Sequence, residues 1–211
     1  ACRFLENYHR AFVPTSYKAQ VTRMAAEARA CRAFYHLDLF LHFGNIPIVE
    51  TPTLPSEQEL SRESADRIVS WIAAEFETAA GNLPVKGGPG YTATEAWRWT
   101  QDACYAYMSY LYLYVGDWAN AKKWASKVID EGRYQLMRVE TDEGTAPYAV
   151  HQSAYSTLFI VKNFEGTAAG NNTEAIFIKN NGAQQVRARL APYGNTPGGS
   201  VDSPTASLVN E

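Results

Sequence analysis

The chain has 211 residues, 46% of them hydrophobic, 13% aromatic and 19% charged, with a net charge of −3. This is the composition of a globular chain long enough for a sizeable core, and without a basic block it carries no nucleic-acid signature. No run of about 18 apolar residues is present to span a bilayer, and no secretory signal opens the chain.

Thirteen Tyr and five Trp are the unusual feature. Such rings join a large apolar face to a polar tip, which suits helix packing first and stacking on sugars second. Cys2, Cys31 and Cys104 are odd in number and far apart, with neither metal-ligand spacing nor a disulfide framework. Cys2 behind Ala1 could be taken for a lipidated N-terminal cysteine. The run Cys2 to Asn7 reads instead as helix interior, so the chain is expected to begin inside a domain.

The first strong helix is expected from about Tyr17 to Phe43. Met24, Ala28, Cys31, Tyr35 and Leu39 recur at three- and four-residue spacing and form one apolar stripe; Ala26, Ala30, Ala33, Leu37 and Leu41 form a second. A helix apolar on two sides is expected between neighbours. Gly44-Asn45 ends it and Pro47 prevents a restart. Residues 45–60, with Pro47, Pro52 and Pro55, read as an extended connector. Ser61 is the expected N-cap of a helix reaching Ala80, with Ile68, Trp71, Ile72, Glu75 and Ala79 on one face and Val69, Ala73, Phe76 and Ala80 beside them. Gly81 is expected as a left-handed cap. Gly87-Gly88-Pro89-Gly90 reads as a turn, because no apolar strand precedes it to make a phosphate cradle.

A further helix is expected from about Thr94 to Val115, with Ala103, Tyr107, Tyr110 and Tyr114 along its stripe. Gly116 breaks it, Asp117 caps the next, and Trp118, Ala121, Ala125 and Val128 face back before Gly132. Two antiparallel helices joined by a Gly-Asp turn, with a small Ala at the crossing, make the tetratricopeptide pattern. The expected fold is therefore all-α, built of tetratricopeptide-like antiparallel helix pairs over residues 1–133. Beyond, 134–211 reads as a loop-rich segment with at most short strands, the candidate being Glu174 to Ile178.

Catalytic signals are weak. His36 and His42 are six apart and fall on different helix faces, and no metal site is expected. Glu27 and Arg32 are expected as a buried pair bridging helices. Glu75-Glu77 and Asp142-Glu143 read as surface acids. His151, Ser153 and Ser156 lack a nucleophile turn. Asn171-Asn172-Thr173 is a sequon.

Six segments, in order, resemble the SusD/RagB family of nutrient-binding outer-membrane lipoproteins. Ala26 to Tyr35 is similar to the family's A-E-A-R-F-L-R-A-F-Y helix, with Ala30-Cys31 in place of Phe-Leu. Phe43-Gly44-Asn45-Ile46-Pro47-Ile48-Val49 resembles F-G-D-V-P-L-V. Arg62-Glu63 through Ile68, then Glu75, Ala79-Ala80 and Leu83-Pro84, resemble the helix that closes in A-A-x-x-L-P. Leu111 to Trp118, followed by Ala121, resembles Y-L-Y-x-G-D-W-x-x-A. Glu174 to Phe177 resembles E-x-I-F, and Ser203 to Val209 resembles the P-T-x-E-L-V segment.

The resemblance implies a non-catalytic protein without cofactor that binds oligosaccharides at the bacterial cell surface. It implies a TonB-dependent, SusC-like porin as partner, and attachment to the outer membrane only through a lipid anchor absent from this chain. It also implies a ligand surface built mostly from loops, for which Arg187, Arg189, Tyr193 and Asn195 are the candidates, with Trp97 and Trp99 behind them. A tetratricopeptide adaptor for a protein partner is the rival reading, and an all-helical glycoside hydrolase, with two carboxylates across a cleft, is a third.

Overall fold

The computed structural model describes residues 1–52, 59–92, 96–136 and 173–177. Five α-helices carry it: α1 Cys2–Asn7, α2 Lys18–Phe43, α3 Ala65–Ala80, α4 Gln101–Tyr114 and α5 Trp118–Ile129, with no strand among the described residues. Cys2 is the first residue of α1, which packs on α2, and its thiol donates to the Val49 carbonyl at 3.4 Å.

The helix ends follow local chemistry. α2 stops where Gly44 takes φ +69°, a region open to glycine, and donates its N–H to Phe40 O at 2.9 Å. α3 is capped by Ser64, whose hydroxyl accepts from Arg67 N–H, three residues later than the Ser61 expected from sequence. The backbone is already committed there, because Glu63 N–H reaches back to the Ile46 carbonyl. Gly81 corrects a second expectation: at φ −62° it is right-handed. The chain instead leaves α3 through tight bonds from Asn82 to Ala79 O and Leu83 to Ala80 O.

α4 starts at Gln101, well after the expected Thr94. Thr100 is extended and its hydroxyl accepts from Ala103 N–H at 3.2 Å, so it takes the cap. Gln101 also donates its backbone N–H to Pro84 O and its side-chain amide to Ala80 O, fixing the start of α4 against the end of α3. The Gly116-Asp117 turn is as tight as the sequence requires. Gly116 has φ +80°, Asp117 N–H returns to Tyr112 O at 2.9 Å, and the Asp117 carboxylate accepts from Asn120 N–H. Those Asn120 bonds hold the Asp117 carboxyl below its ordinary pKa.

Each helix packs on the next, α2 on α3, α3 on α4 and α4 on α5. α2 and α4 run parallel, because Glu27 meets Arg98, Phe34 meets Tyr107 and Phe40 meets Tyr114 in the same order. Between them lie Leu37, Ile68, Ile72, Phe76, Met108 and Leu111, all fully buried, with Ala30, Ala33, Ala79 and Ala103 allowing close approach. This is the tetratricopeptide-like architecture.

Only one of the two stripes on α2 is in the core. Ala26, Ala30, Ala33 and Leu37 are buried, whereas Tyr35 is 63% exposed, with Met24 and Leu39 also open. Among the described residues, α3 and α4 both lie on the alanine side. On α4 and α5 the expected stripes are buried in part: Ala103, Ala121 and Val128 are inside as expected. Cys104, Met108 and Leu111 fill the core while Tyr110 and Tyr114 face outward, and Trp124 is buried in place of Trp118. Residues 173–177 hold no strand, and Ile178 lies outside the described residues.

Ala121 is buried and its carbonyl accepts from Ser109 Oγ at 2.9 Å, so α4 and α5 are in close contact there. Ala121→Leu should overpack this crossing and cost about 1–3 kcal/mol. Thermal unfolding measures it; an unchanged melting temperature argues against the repeat packing.

Candidate ligand-binding surface

Three carboxylates inside the helical array are each gripped by arginine, and each fastens a non-helical segment. Glu75 on α3 accepts from Arg29 at 2.6 Å and from Arg32 at 2.6 and 2.9 Å. Arg32 also donates to the Glu50 carbonyl at 2.8 Å and lies 5.5 Å from the Trp71 ring, whose N–H donates to the Glu50 carboxylate. His36 completes this clasp. Its Nδ1 bonds the Arg32 carbonyl at 2.8 Å and its Nε2 accepts from Val49 N–H at 3.0 Å. A carbonyl on one side and an N–H on the other assign the neutral, Nδ1-protonated ring. Burial is the main reason its pKa is pushed down.

Glu27 on α2 takes a two-pronged contact from Arg98, both bonds 2.9 Å, and a third from Arg23 at 3.0 Å. Arg23 reaches on to the Gly90 carbonyl at 2.7 Å. Asp102, 0% exposed in the first turn of α4, accepts from Arg133 at 2.6 and 3.2 Å, from Tyr134 Oη at 3.1 Å and from Lys86 N–H at 3.3 Å. The Lys86 ammonium lies over the Tyr134 ring and donates to Ala175 O, while Gln135 N–H bonds Thr173 O at 2.9 Å. Residues 173–177 are thereby laid against α4.

Arg98 sets the two tryptophans on opposite sides. Trp97 is 50% exposed. Trp99, 6% exposed, donates its indole N–H to Cys31 Sγ at 3.1 Å and stacks on Phe177, centroids 4.6 Å apart. Phe34, Phe76 and Tyr107 surround it at 5.6–6.0 Å. An open cleft of about 290 Å³ lies beside this cluster, lined by Ala103, Ala106, Tyr107, Tyr110, Glu174, Ile176 and Phe177. Its walls are apolar and aromatic apart from Glu174.

Residues 5–113, just over half of the chain, match the SusD-like family model described as "Starch-binding associating with outer membrane". The chain belongs to the SusD-like family. Among solved structures it is similar to a SusD-like carbohydrate binding protein from Bacteroides fragilis, at 28% identity and TM-score 0.58, over 64% of this chain and 25% of that one. A second SusD-like protein from Bacteroides fragilis aligns at TM-score 0.63 and 22% identity, over 83% of this chain and 30% of that one. A laminarin binding SusD-like protein aligns at TM-score 0.55 and 23% identity, over 64% and 28%. The last two likenesses show the fold alone. The chain spans between a quarter and a third of these proteins' length. No curated protein matches it.

Several SusD-like segments noted in the sequence coincide with the clasps. Ile46 to Glu50 is the stretch held by Arg32, His36 and Trp71, and Glu174 to Phe177 is the stretch laid on α4. Of the ligand-contact candidates, the described residues include only Trp97, at the surface, and Trp99, among the aromatic rings. Arg187, Arg189, Tyr193 and Asn195 lie outside the described residues, as do Asp142, Glu143, His151, Ser153, Ser156 and the Ser203 to Val209 motif.

The expected Glu27–Arg32 pair is corrected. Both residues bridge helices to other segments, but Glu27 pairs with Arg23 and Arg98, and Arg32 pairs with Glu75. A five-residue separation turns them away from each other, whereas Arg23 and Glu27, four apart, share a face. Glu75 is likewise no surface acid; its place in an apolar row with Ile68, Ile72 and Ala79 was the available signal.

Removing Glu75 strands a buried arginine, so Glu75→Ala should cost about 3–5 kcal/mol in denaturant unfolding. A loss below 1 kcal/mol would contradict the buried clasp. His36 adds a pH dependence. Its folded pKa lies below the unfolded value of 6.5, so its contribution is complete above that pH. As pH falls below 6.5 the unfolded chain takes up the proton first, and stability declines toward the folded pKa. Melting temperatures from pH 7.5 to 5.5 should fall less steeply in His36→Gln than in the unmodified chain.

Proposed function

We propose that this chain is part of a non-catalytic glycan-binding protein of the bacterial outer surface. It captures oligosaccharides and passes them to a TonB-dependent, SusC-like transporter, and a lipid anchor holds the protein to the outer membrane. Family membership carries the reading: the matched model is described as starch-binding and associated with the outer membrane, and the 28%-identical relative as carbohydrate binding.

Residues 1–133 act as scaffold and contribute Trp97, and 134–211 supply the other ligand contacts. Trp97 offers an open ring on which the apolar side of a pyranose can stack, while Trp99 is fixed among the core rings. Arg187, Arg189, Tyr193 and Asn195 hydrogen-bond the hydroxyls. The interior carboxylates Glu27, Glu75 and Asp102 are each occupied by arginine, which suits a structural role for them better than acid–base exchange.

The test is calorimetry with starch, laminarin and a panel of plant and host glycans. It is run on the 211-residue chain and on the reading frame that contains it. Binding of at least one glycan is expected, stronger in the longer protein, because preorganised contacts are needed for affinity. Trp97→Ala should weaken it roughly 2–10-fold, the worth of one aromatic contact. No binding by either protein would refute the proposal, and new reducing ends that track the purified protein would refute its non-catalytic part.

A further inference from the structure

The open cleft of about 290 Å³ beside the ring cluster has two walls of different origin. One is a single face of α4, because Ala103, Ala106, Tyr107 and Tyr110 follow at three- and four-residue spacing. The two alanines leave room there, and Tyr107 is packed against Phe34 and Phe76. The other wall is Glu174, Ile176 and Phe177. It is fastened by the bonds from Lys86 to Ala175 O and from Gln135 to Thr173 O, and by the stack of Phe177 on Trp99. Tyr110 is 49% exposed and, among the described residues, makes no hydrogen bond or ring contact.

We propose that this cleft is a further sugar-contact site for a neutral mono- or disaccharide unit, with Tyr110 as the stacking ring and the Glu174 carboxylate as hydroxyl acceptor. The inference rests on the glycan-binding reading and adds to it a site separate from Trp97 and from the candidates in 187–195. At about 290 Å³ the cleft is at the small end of ligand sites, which suits roughly one or two pyranose rings. A pyranose has an apolar face for the tyrosine ring and hydroxyls for the carboxylate, whereas an acyl chain would set hydrocarbon against Glu174. Among the described residues no basic side chain lines the cleft, so a uronic acid finds no countercharge beside Glu174. A neutral glycan is the class that fits. Both walls are fixed before a ligand arrives, which lowers the ordering cost of binding.

NMR titration of the 211-residue chain with maltose, laminaribiose, cellobiose and digalacturonate tests this. At least one neutral disaccharide should bind, and digalacturonate should bind at least about tenfold more weakly, a gap that Glu174→Gln should narrow. Tyr110→Ala should weaken the neutral sugar roughly 2–10-fold, the worth of one aromatic contact, while Tyr110→Phe, which keeps the ring, should stay within about twofold. If Tyr110→Ala loses helical circular dichroism, Ala106→Leu, which fills the cleft, takes its place. Disaccharide affinity unchanged by these substitutions would overturn the proposal, as would no disaccharide bound or digalacturonate bound equally well. Each of those outcomes leaves the glycan-binding reading standing where the longer protein binds a glycan and Trp97→Ala weakens it. Absence of glycan binding by both proteins would end both readings.

Discussion

At the first turn of α4 a carboxylate with no exposure to solvent has four donors aimed at it. Asp102 receives two N–H groups of Arg133, the Tyr134 hydroxyl and the Lys86 backbone N–H. An isolated charge in that position would be prohibitive, so the donors and the carboxylate require one another. Through them the turn after α3, the base of α4 and the chain beyond α5 meet at one point. Residues 173–177 then follow, by way of Lys86 and Gln135. Burial presses the Tyr134 hydroxyl to a pKa far above its ordinary value, and the adjacent Asp102 charge adds to this, so that phenol stays a donor.

The clasps at Glu75 and Glu27 have the same logic. Helices α2 to α5 bury apolar faces against one another, an attraction that is strong but indifferent to small slides. Arginine forks are not indifferent. The fork from Arg98 to Glu27 fixes which way the residues before α4 turn, and so which tryptophan enters the core. The fork from Arg32 to Glu75, continued to Glu50, fixes how the chain leaves α2. Ion pairs of this kind add little net free energy over apolar substitutes, and here they serve geometry.

Helix identity was legible in the sequence because three- and four-residue spacing is a local property, and Gly44, Gly116 and Gly132 mark ends through a backbone conformation they adopt with little strain. What depended on the neighbours was not legible. Both stripes of α2 are apolar, and periodicity cannot say which one meets α3. Ser61 and Ser64 are both competent caps, and the bond from Glu63 to Ile46 decides between them. Gly81 permits a left-handed turn without requiring one. Among the candidate contacts the sequence could name Trp97 and Trp99 as aromatic. Their division into surface and interior came from Arg98, whose partner lies 71 residues away.

The platform beneath Phe177 also orders events in time. It is assembled from Phe34 on α2, Phe76 on α3, Tyr107 on α4 and Trp99 ahead of α4. None of these elements offers the surface alone. Each helix packs on the next in sequence, α4 and α5 across a three-residue turn, and contacts close in sequence form fast. The contact from Lys86 to Ala175 spans 89 residues and gains its free energy only on a finished platform. During synthesis the helices can pack as they emerge, while Trp99 waits uncovered until residue 177 has been made.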